Sequence, residues 1–283
     1  MTIEQAVAFE KASFYYTKDV PVLDNINLTI PQGQIAGLVG CNGAGKSTLL
    51  RLINGLLQPK VGKVSLLGID TNGLSAAQAA KYVGTVFQNP NHQLFLETVE
   101  AEIAYGLDNR GLAGAERAMR IEAALAATGL EALRRSFPRS LSFGLRQRVA
   151  LASVIALQPD ILLLDEPTTG LDHRETERLM CILLDQQSKG RTIILVTHDL
   201  ELQLEYAQRV VLLSKGRILE DGPPQQVFSC YEKLLEAELL PPDMARLTYN
   251  LKEYGLQTTC SIQETADQVT NMIKVEGGQR IAG

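Results

Sequence analysis

From Gly40 to Thr48 the chain reads GCNGAGKST: a glycine, four variable residues, then Gly45-Lys46-Ser47. These residue types at this spacing hold phosphate. Backbone N–H groups of a turn through Gly40, Asn42, Gly43, Ala44 and Gly45 face inward around the phosphates of a nucleotide. Lys46 brings a compact positive charge to the β and γ oxygens, and the Ser47 hydroxyl is placed to ligate Mg²⁺ ahead of Thr48. A helix starting near Lys46 aims its positive dipole end at the same phosphates. Further along, ILLLDEP ends an apolar run in two adjacent acids. Asp165 suits the metal, directly or through water, and Glu166 points where an attacking water would lie. A second apolar run, IILVTHD, ends in His198, within reach of the γ-phosphate if the two strands are neighbours.

Strand, loop and helix must carry the phosphate motif, and the flanks GQIAGLVG and STLLRLINGL have those patterns. The first forty residues predict an antiparallel ribbon, VAFEKASFYY and VLDNINLTI joined by a Lys18-Asp19 turn. GKVSLLGID, a turn at Asn72-Gly73, the helix SAAQAAKY and the strand VGTVFQ follow. From about Thr98 to Leu157 the period becomes helical, which predicts a helical insert in an α/β frame. DILLLDEP and RTIILVTHD are apolar without alternation, as buried parallel strands are. VVLLSKGRILEDG predicts a hairpin turning at Lys215-Gly216. Beyond Gly222 the pairs Pro223-Pro224 and Pro241-Pro242 frame a helical segment, QQVFSCYEKLLEAELL, and DMARLTYNLKEYG predicts another.

With 283 residues, 45% of them hydrophobic, the chain can bury one large α/β core and a small appendage. Cys41, Cys181, Cys230 and Cys260 form no C-x-x-C pair, which predicts neither a metal knuckle nor a dithiol site and suits reduced thiols in the cytosol. The N-terminal MTIEQAVAFEKASF lacks the pattern of a secretory signal, and no apolar run approaches the roughly 18 residues of a membrane helix. A net charge of −5 and no Trp argue against a nucleic-acid partner.

Leu141-Ser142-Phe143-Gly144-Leu145-Arg146-Gln147-Arg148, ending 17 residues before Asp165, resembles the ABC signature, usually LSGGQ followed by basic and glutamine residues. From about Phe9 to Gly222 the chain resembles an ABC-transporter ATPase, with phosphate loop, Gln88, signature, Asp165-Glu166, Gly170-Leu171-Asp172 and His198 in the family's order. The resemblance implies a P-loop NTPase fold: an N-terminal antiparallel β-subdomain, a RecA-like, mostly parallel core, a helical subdomain at about 98–157 and a small C-terminal helical extension. It divides the chain into an ATPase domain, 1–222, and an extension, 223–283, as a candidate dimerisation element. ATP with Mg²⁺ is the implied ligand. Tyr16 is to stack on adenine, Gln88 to sense Mg²⁺ and the attacking water, and Asp172 to communicate across a dimer. Ser142 and the N–H groups near Gly144 are to cap the γ-phosphate of ATP held by a second ATPase subunit, head to tail. Phe143 and Leu145 depart from the usual signature, and Leu145 weakens the expected half-site.

VGTVFQNPNHQLFLETVEAEIAYGLDNRGL further resembles the energy-coupling-factor ATPases, the CbiO/EcfA-like group, as does the tail LLPPDMARLTYNLKEYG. This implies three partners at the cytoplasmic face of the membrane: a second ATPase subunit, a transmembrane coupling protein and a membrane substrate-binding subunit. Cargo would be a vitamin or a transition-metal ion. Asn89, Asn91 and Gln93 lie where such systems receive the coupling helices. Alternatives are an ATPase of another importer class, for amino acids or metal ions, a soluble ABC ATPase outside transport, or a nucleotide-binding regulator without turnover.

Overall fold

The computed structural model describes residues 4–18 and 20–279, with side chains as far as Met272. The chain begins with strands β1 (Gln5–Phe14), β2 (Leu23–Pro31) and β3 (Ile35–Val39), helix α1 (Lys46–Ile53), and strands β4 (Val61–Leu66) and β5 (Ile69–Asp70). Next come α2 (Ala76–Ala79), β6 (Val83–Val86), and the helices α3 (Val99–Asn109), α4 (Gly114–Thr128) and α5 (Phe143–Ile155). Then β7 (Ile161–Asp165), α6 (His173–Ser188), β8 (Thr192–Val196), α7 (Leu200–Tyr206), β9 (Arg209–Ser214) and β10 (Arg217–Gly222) alternate. The helices α8 (Pro224–Ser229), α9 (Tyr231–Glu236), α10 (Asp243–Asn250) and α11 (Ile262–Gln279) follow.

Two sheets organise these elements. β2-β1-β4-β5 is antiparallel, and β2 alternates buried Ile26, Leu28 and Ile30 with exposed Asn25, Asn27 and Thr29, the period of a strand with one wet face. The larger sheet runs β10-β9-β3-β8-β7-β6, parallel except for β10. Its central strands are covered on both faces, which is why their sequences do not alternate. Leu162 and Leu164 of β7 with Ile193 and Leu195 of β8 face the helical insert, where Ile103, Leu125 and Val149 pack on them. Leu163, Ile194 and Val196 face the other way, onto α1 and the small sheet through Leu49, Leu52 and Leu28. Truncating one such leucine to alanine costs about 2–5 kcal/mol.

Leu38 pairs with Val196, Val196 with Asp165, and Leu164 with Val86, so the carboxyl ends of β3, β8, β7 and β6 share one edge. Open parallel sheets bind ligands outside such an edge.

Two segments divide where periodicity marked no boundary. Within GKVSLLGID, Leu67 and Gly68 both take positive φ, 51° and 79°, and fold it into the hairpin β4–β5. The segment QQVFSCYEKLLEAELL is broken at Cys230, whose ψ of 68° ends α8 before α9 begins. The Lys215-Gly216 turn does form, with φ of 46° and 76°, the pair a two-residue hairpin of the I′ type needs. Beyond Gly222 the chain returns to the sheet: Val227, Phe228 and Leu234 are buried against Val39, Val210 and Leu212. No helix among the described residues is long and apolar enough to cross a membrane.

Candidate nucleotide site

The five residues of β3 are all buried, and the chain leaves the sheet at Gly40. A Cβ there would lie 2.2 Å from the carbonyl oxygen of Leu213 on β9, so only glycine allows the turn to start this close to the sheet. Gly43 and Gly45 follow with φ of 81° and 109°. Gly45 caps α1 without any side-chain hydrogen bond, and no acid stands in the first turn. The leading N–H groups of this helix are therefore free to face an anion. Lys46 is buried, its Nζ donating to the carbonyl oxygens of Gly40 at 2.5 Å and Cys41 at 3.0 Å. Burial lowers its pKa, and the nearby Glu166 and Asp165 pull it back up.

Asn42, Gly43, Gly45, Lys46, Ser47 and Thr48 line one cleft of about 290 Å³ with Val22, Cys41, Gln88, Asp165 and Glu166. Ala44 lies beneath, buried in the core that α1 shares. The Ser47 hydroxyl, the Gln88 amide and the Asp165 carboxylate thus meet in one place. Three oxygen donors of this kind suit Mg²⁺. Burial, reinforced by Glu166, raises the Asp165 pKa, and Lys46 opposes that. A cation bound in the cleft would hold this carboxylate charged.

Glu166 carries φ of 48°, left-handed for a residue with a side chain. Its N–H donates to the Val196 carbonyl at 2.9 Å, which pins the turn to the end of β8. Three side chains then converge on its carboxylate. Gln88 Nε2, two residues beyond β6, donates to Oε2 at 3.0 Å, Thr169 Oγ1 donates to the same oxygen at 3.2 Å, and His198 Nε2 lies 2.5 Å from Oε1. The parallel register is what brings Gln88, Glu166 and His198 together, since β7 lies between β6 and β8.

Tyr16 stands beside the cleft rather than in its lining. Its hydroxyl is 3.4 Å from Thr48 Oγ1 and accepts from Arg51 Nη1 at 3.1 Å, and its ring meets Phe14 edge-on at 4.9 Å while staying 56% exposed. The hydrogen bond with Thr48, helped by Arg51, holds this phenol below its usual range.

Ser142, Gly144 and Asp172 lie outside that lining. Ser142 Oγ accepts from Leu145 N at 3.4 Å and caps α5; Asp172 Oδ1 accepts from Glu175 N at 2.8 Å and caps α6. Gly144 is buried against Glu175, and the Leu145 side chain packs toward the insert's core. Thr169 and Arg51 escaped sequence reasoning. A hydroxyl three residues after Glu166, and a base three residues after Thr48 on a helix, were the available signals.

A family model described as ABC transporter matches residues 23–169. The energy-coupling factor transporter ATP-binding protein EcfA of Methanocaldococcus jannaschii is 42% identical over 266 residues, covering 92% of this chain and 95% of that protein. Among solved structures, CbiO1 of Clostridium perfringens, described as part of the ABC transporter complex CbiONQ, has a TM-score of 0.76 at 32% identity, over 88% of this chain and 99% of that one. A dimeric ATP-binding cassette in a post-hydrolysis state, bound to ADP and Pi, has a TM-score of 0.68 at 30% identity, over 77% and 99%. Other relatives are longer: the chain spans about two fifths of the first curated relatives it matches, 41% of an ABC transporter ATP-binding protein of Methanosarcina acetivorans, to which it is 41% identical over 250 residues, or 88% of its own length. Matched by that model over more than half its length and by a relative almost end to end, the chain belongs to the ABC transporter ATP-binding family.

Proposed function

We propose that this chain is the ATP-hydrolysing subunit of an energy-coupling-factor importer, driving uptake of a vitamin or a transition-metal ion from the cytoplasmic face of the membrane. The observation that carries the catalytic part is the carboxylate of Glu166, held by Gln88, Thr169 and His198 beside the phosphate loop. Glu166 orients and polarises the water that attacks in line. His198 steadies Glu166 and reaches toward the γ-phosphate, while Lys46 and the N–H groups of Gly43 and Gly45 stabilise charge on the transferred phosphoryl. Ser47, Gln88 and Asp165 would hold Mg²⁺, which would supply charge neutralisation for the transferred phosphoryl. Tyr16 stacks on the adenine from the rim of the cleft.

Ser142, Gly144 and Asp172 serve a second ATPase subunit, so that two ATP molecules lie between two chains arranged head to tail. Their absence from the chain's own phosphate cleft supports that reading. The match with EcfA and the likeness to CbiO1 support the importer class. Phe87, Phe95 and Tyr105 are large, apolar and 44–57% exposed near Gln88 in sequence, which suits contact with a transmembrane coupling protein; a membrane substrate-binding subunit completes the assembly. The segment 223–283 is the proposed dimerisation element. Glu166→Gln keeps the shape of the side chain and removes its charge. ATP binding is expected to persist in calorimetry while steady-state phosphate release falls at least about a hundredfold; a variant that still turns over removes Glu166 from the role.

A further inference from the structure

Glu175 binds no nucleotide in the reading above, yet it touches both Gly144 of the signature turn and Asp172 of the loop before α6. Its Cγ is 2.9 Å from where a Cβ on Gly144 would sit, so α6 comes this close to the signature turn only because that residue is glycine. Its N–H donates to Asp172 at 2.8 Å. Its carboxylate sits between two guanidinium groups: Arg178 Nη1 donates to Oε1 at 2.7 Å, and Arg148 Nε of α5 lies 3.3 Å from Oε2. The second pair is unfinished, because Arg148 Nε and Glu175 Oε2 are both buried and neither makes a hydrogen bond. Moving α5 away from α6 would leave these two buried charges without each other, which is costly, so the contact resists separation of the two helices. Arg148 also donates to the Thr128 carbonyl at the end of α4, at 3.1 Å, which ties the helical insert into the same knot. Beside it the Phe143 ring lies 3.6 Å from a Cβ position on Gly170.

We infer that Glu175 is a positioning residue that makes the signature turn and the Gly170–Asp172 loop move as one body. Closure of Ser142 on the partner's ATP is then felt at this subunit's own Glu166, because Thr169, at the head of that loop, bonds the Glu166 carboxylate at 3.2 Å. The inference rests on the head-to-tail dimer proposed above.

The test is steady-state ATP hydrolysis by the full chain. Glu175→Ala is expected to lower kcat about tenfold, the scale of coupling through a packed network, with KM for ATP within about twofold of the parent because the phosphate loop is untouched. Glu175→Asp, which keeps the charge, is expected to recover most of that loss. In a Glu166→Gln background, Glu175→Ala should also weaken ATP-dependent dimerisation in size-exclusion chromatography. Should the alanine variant not fold, Glu175→Gln is expected to show the same split with a smaller loss. A kcat within twofold of the parent for these variants, while Glu166→Gln is inactive, overturns the positioning role and leaves the site reading standing. So does a loss shared by KM, kcat and the melting temperature, which would make Glu175 a packing residue only. Turnover by Glu166→Gln would instead remove the site reading, and this inference with it.

Discussion

Glu166 occupies a backbone conformation that costs a residue with a side chain about 1–3 kcal/mol, and the carboxylate it delivers is fully engaged by Gln88, Thr169 and His198. The neighbours that engage the carboxylate also fix where it points, so the strained backbone is held by the surrounding structure. Removing one of the three holds tests this. Thr169→Val deletes a hydrogen bond worth about 1 kcal/mol, so kcat is expected to fall about fivefold with KM unchanged. Lys46 carries its charge into a buried place beside two acids. Lys46→Ala removes a charge-assisted contact to phosphate of about 1.5–3 kcal/mol, and calorimetry is expected to show ATP binding weakened by roughly 10- to 150-fold. Tyr16→Ala is expected to weaken binding by about 1–3 kcal/mol, the worth of a base stacked on an aromatic, and equally for ATP and ADP, since stacking does not involve the γ-phosphate. Glu166, His198 and the loop were legible because each closes an apolar run or a glycine pattern. Thr169 and Arg51 were not, because a hydroxyl in a turn or a guanidinium on a helix has no sequence signature of its role until its partner is in view.

Helix ends do much of the positioning. α1 starts bare, with its N–H groups uncapped by any side chain, whereas α5 and α6 are capped by Ser142 and Asp172. The two caps are the residues expected to face a second subunit, so a cap and a contact share one side chain. Ser142→Ala is therefore expected to do two separable things: lower the stability of the isolated chain by about 1 kcal/mol, seen as a lower urea midpoint, and reduce turnover far more than that loss explains. Another element-level device is Glu102 in α3. It is 4% exposed and accepts the backbone N–H groups of Phe95 and Leu96, at 2.5 and 2.6 Å, so it holds the loop that precedes its own helix. Burial pushes its pKa up, against the pull of those two donors. Glu102→Ala leaves both donors without a partner and should cost about 1–3 kcal/mol in thermal or urea unfolding, whereas Glu102→Gln keeps an acceptor in place and should be far milder. The element boundaries that went unread, β4 against β5 and α8 against α9, were set by single backbone reversals at Leu67-Gly68 and Cys230. Periodicity averages over several residues and passes over such a point.

In the whole molecule, two sets of residues stay apart: the phosphate cleft, and the Ser142 and Asp172 caps that do not line it. A head-to-tail dimer makes a sharp prediction from this. Lys46→Ala and Ser142→Arg chains should each be inactive alone, while a mixture should recover activity, because one of the two composite sites in the mixed dimer then has an intact loop and an intact signature. Failure to recover, with mixed dimers shown to form, would argue for a site completed within one chain. Order along the chain already specified the phosphate loop, the acidic pair at a strand end, the α/β alternation and the helical insert, because each depends on residue types a few positions apart. Which strand ends meet, that Glu166 sits between Gln88 and His198, that the signature turn packs on Glu175, and that α8 and α9 return to cover β9 were decided only by the tertiary structure. Those facts arise from strand order, register and close packing between residues tens of positions apart, and no local pattern of residue types encodes a distance of that kind.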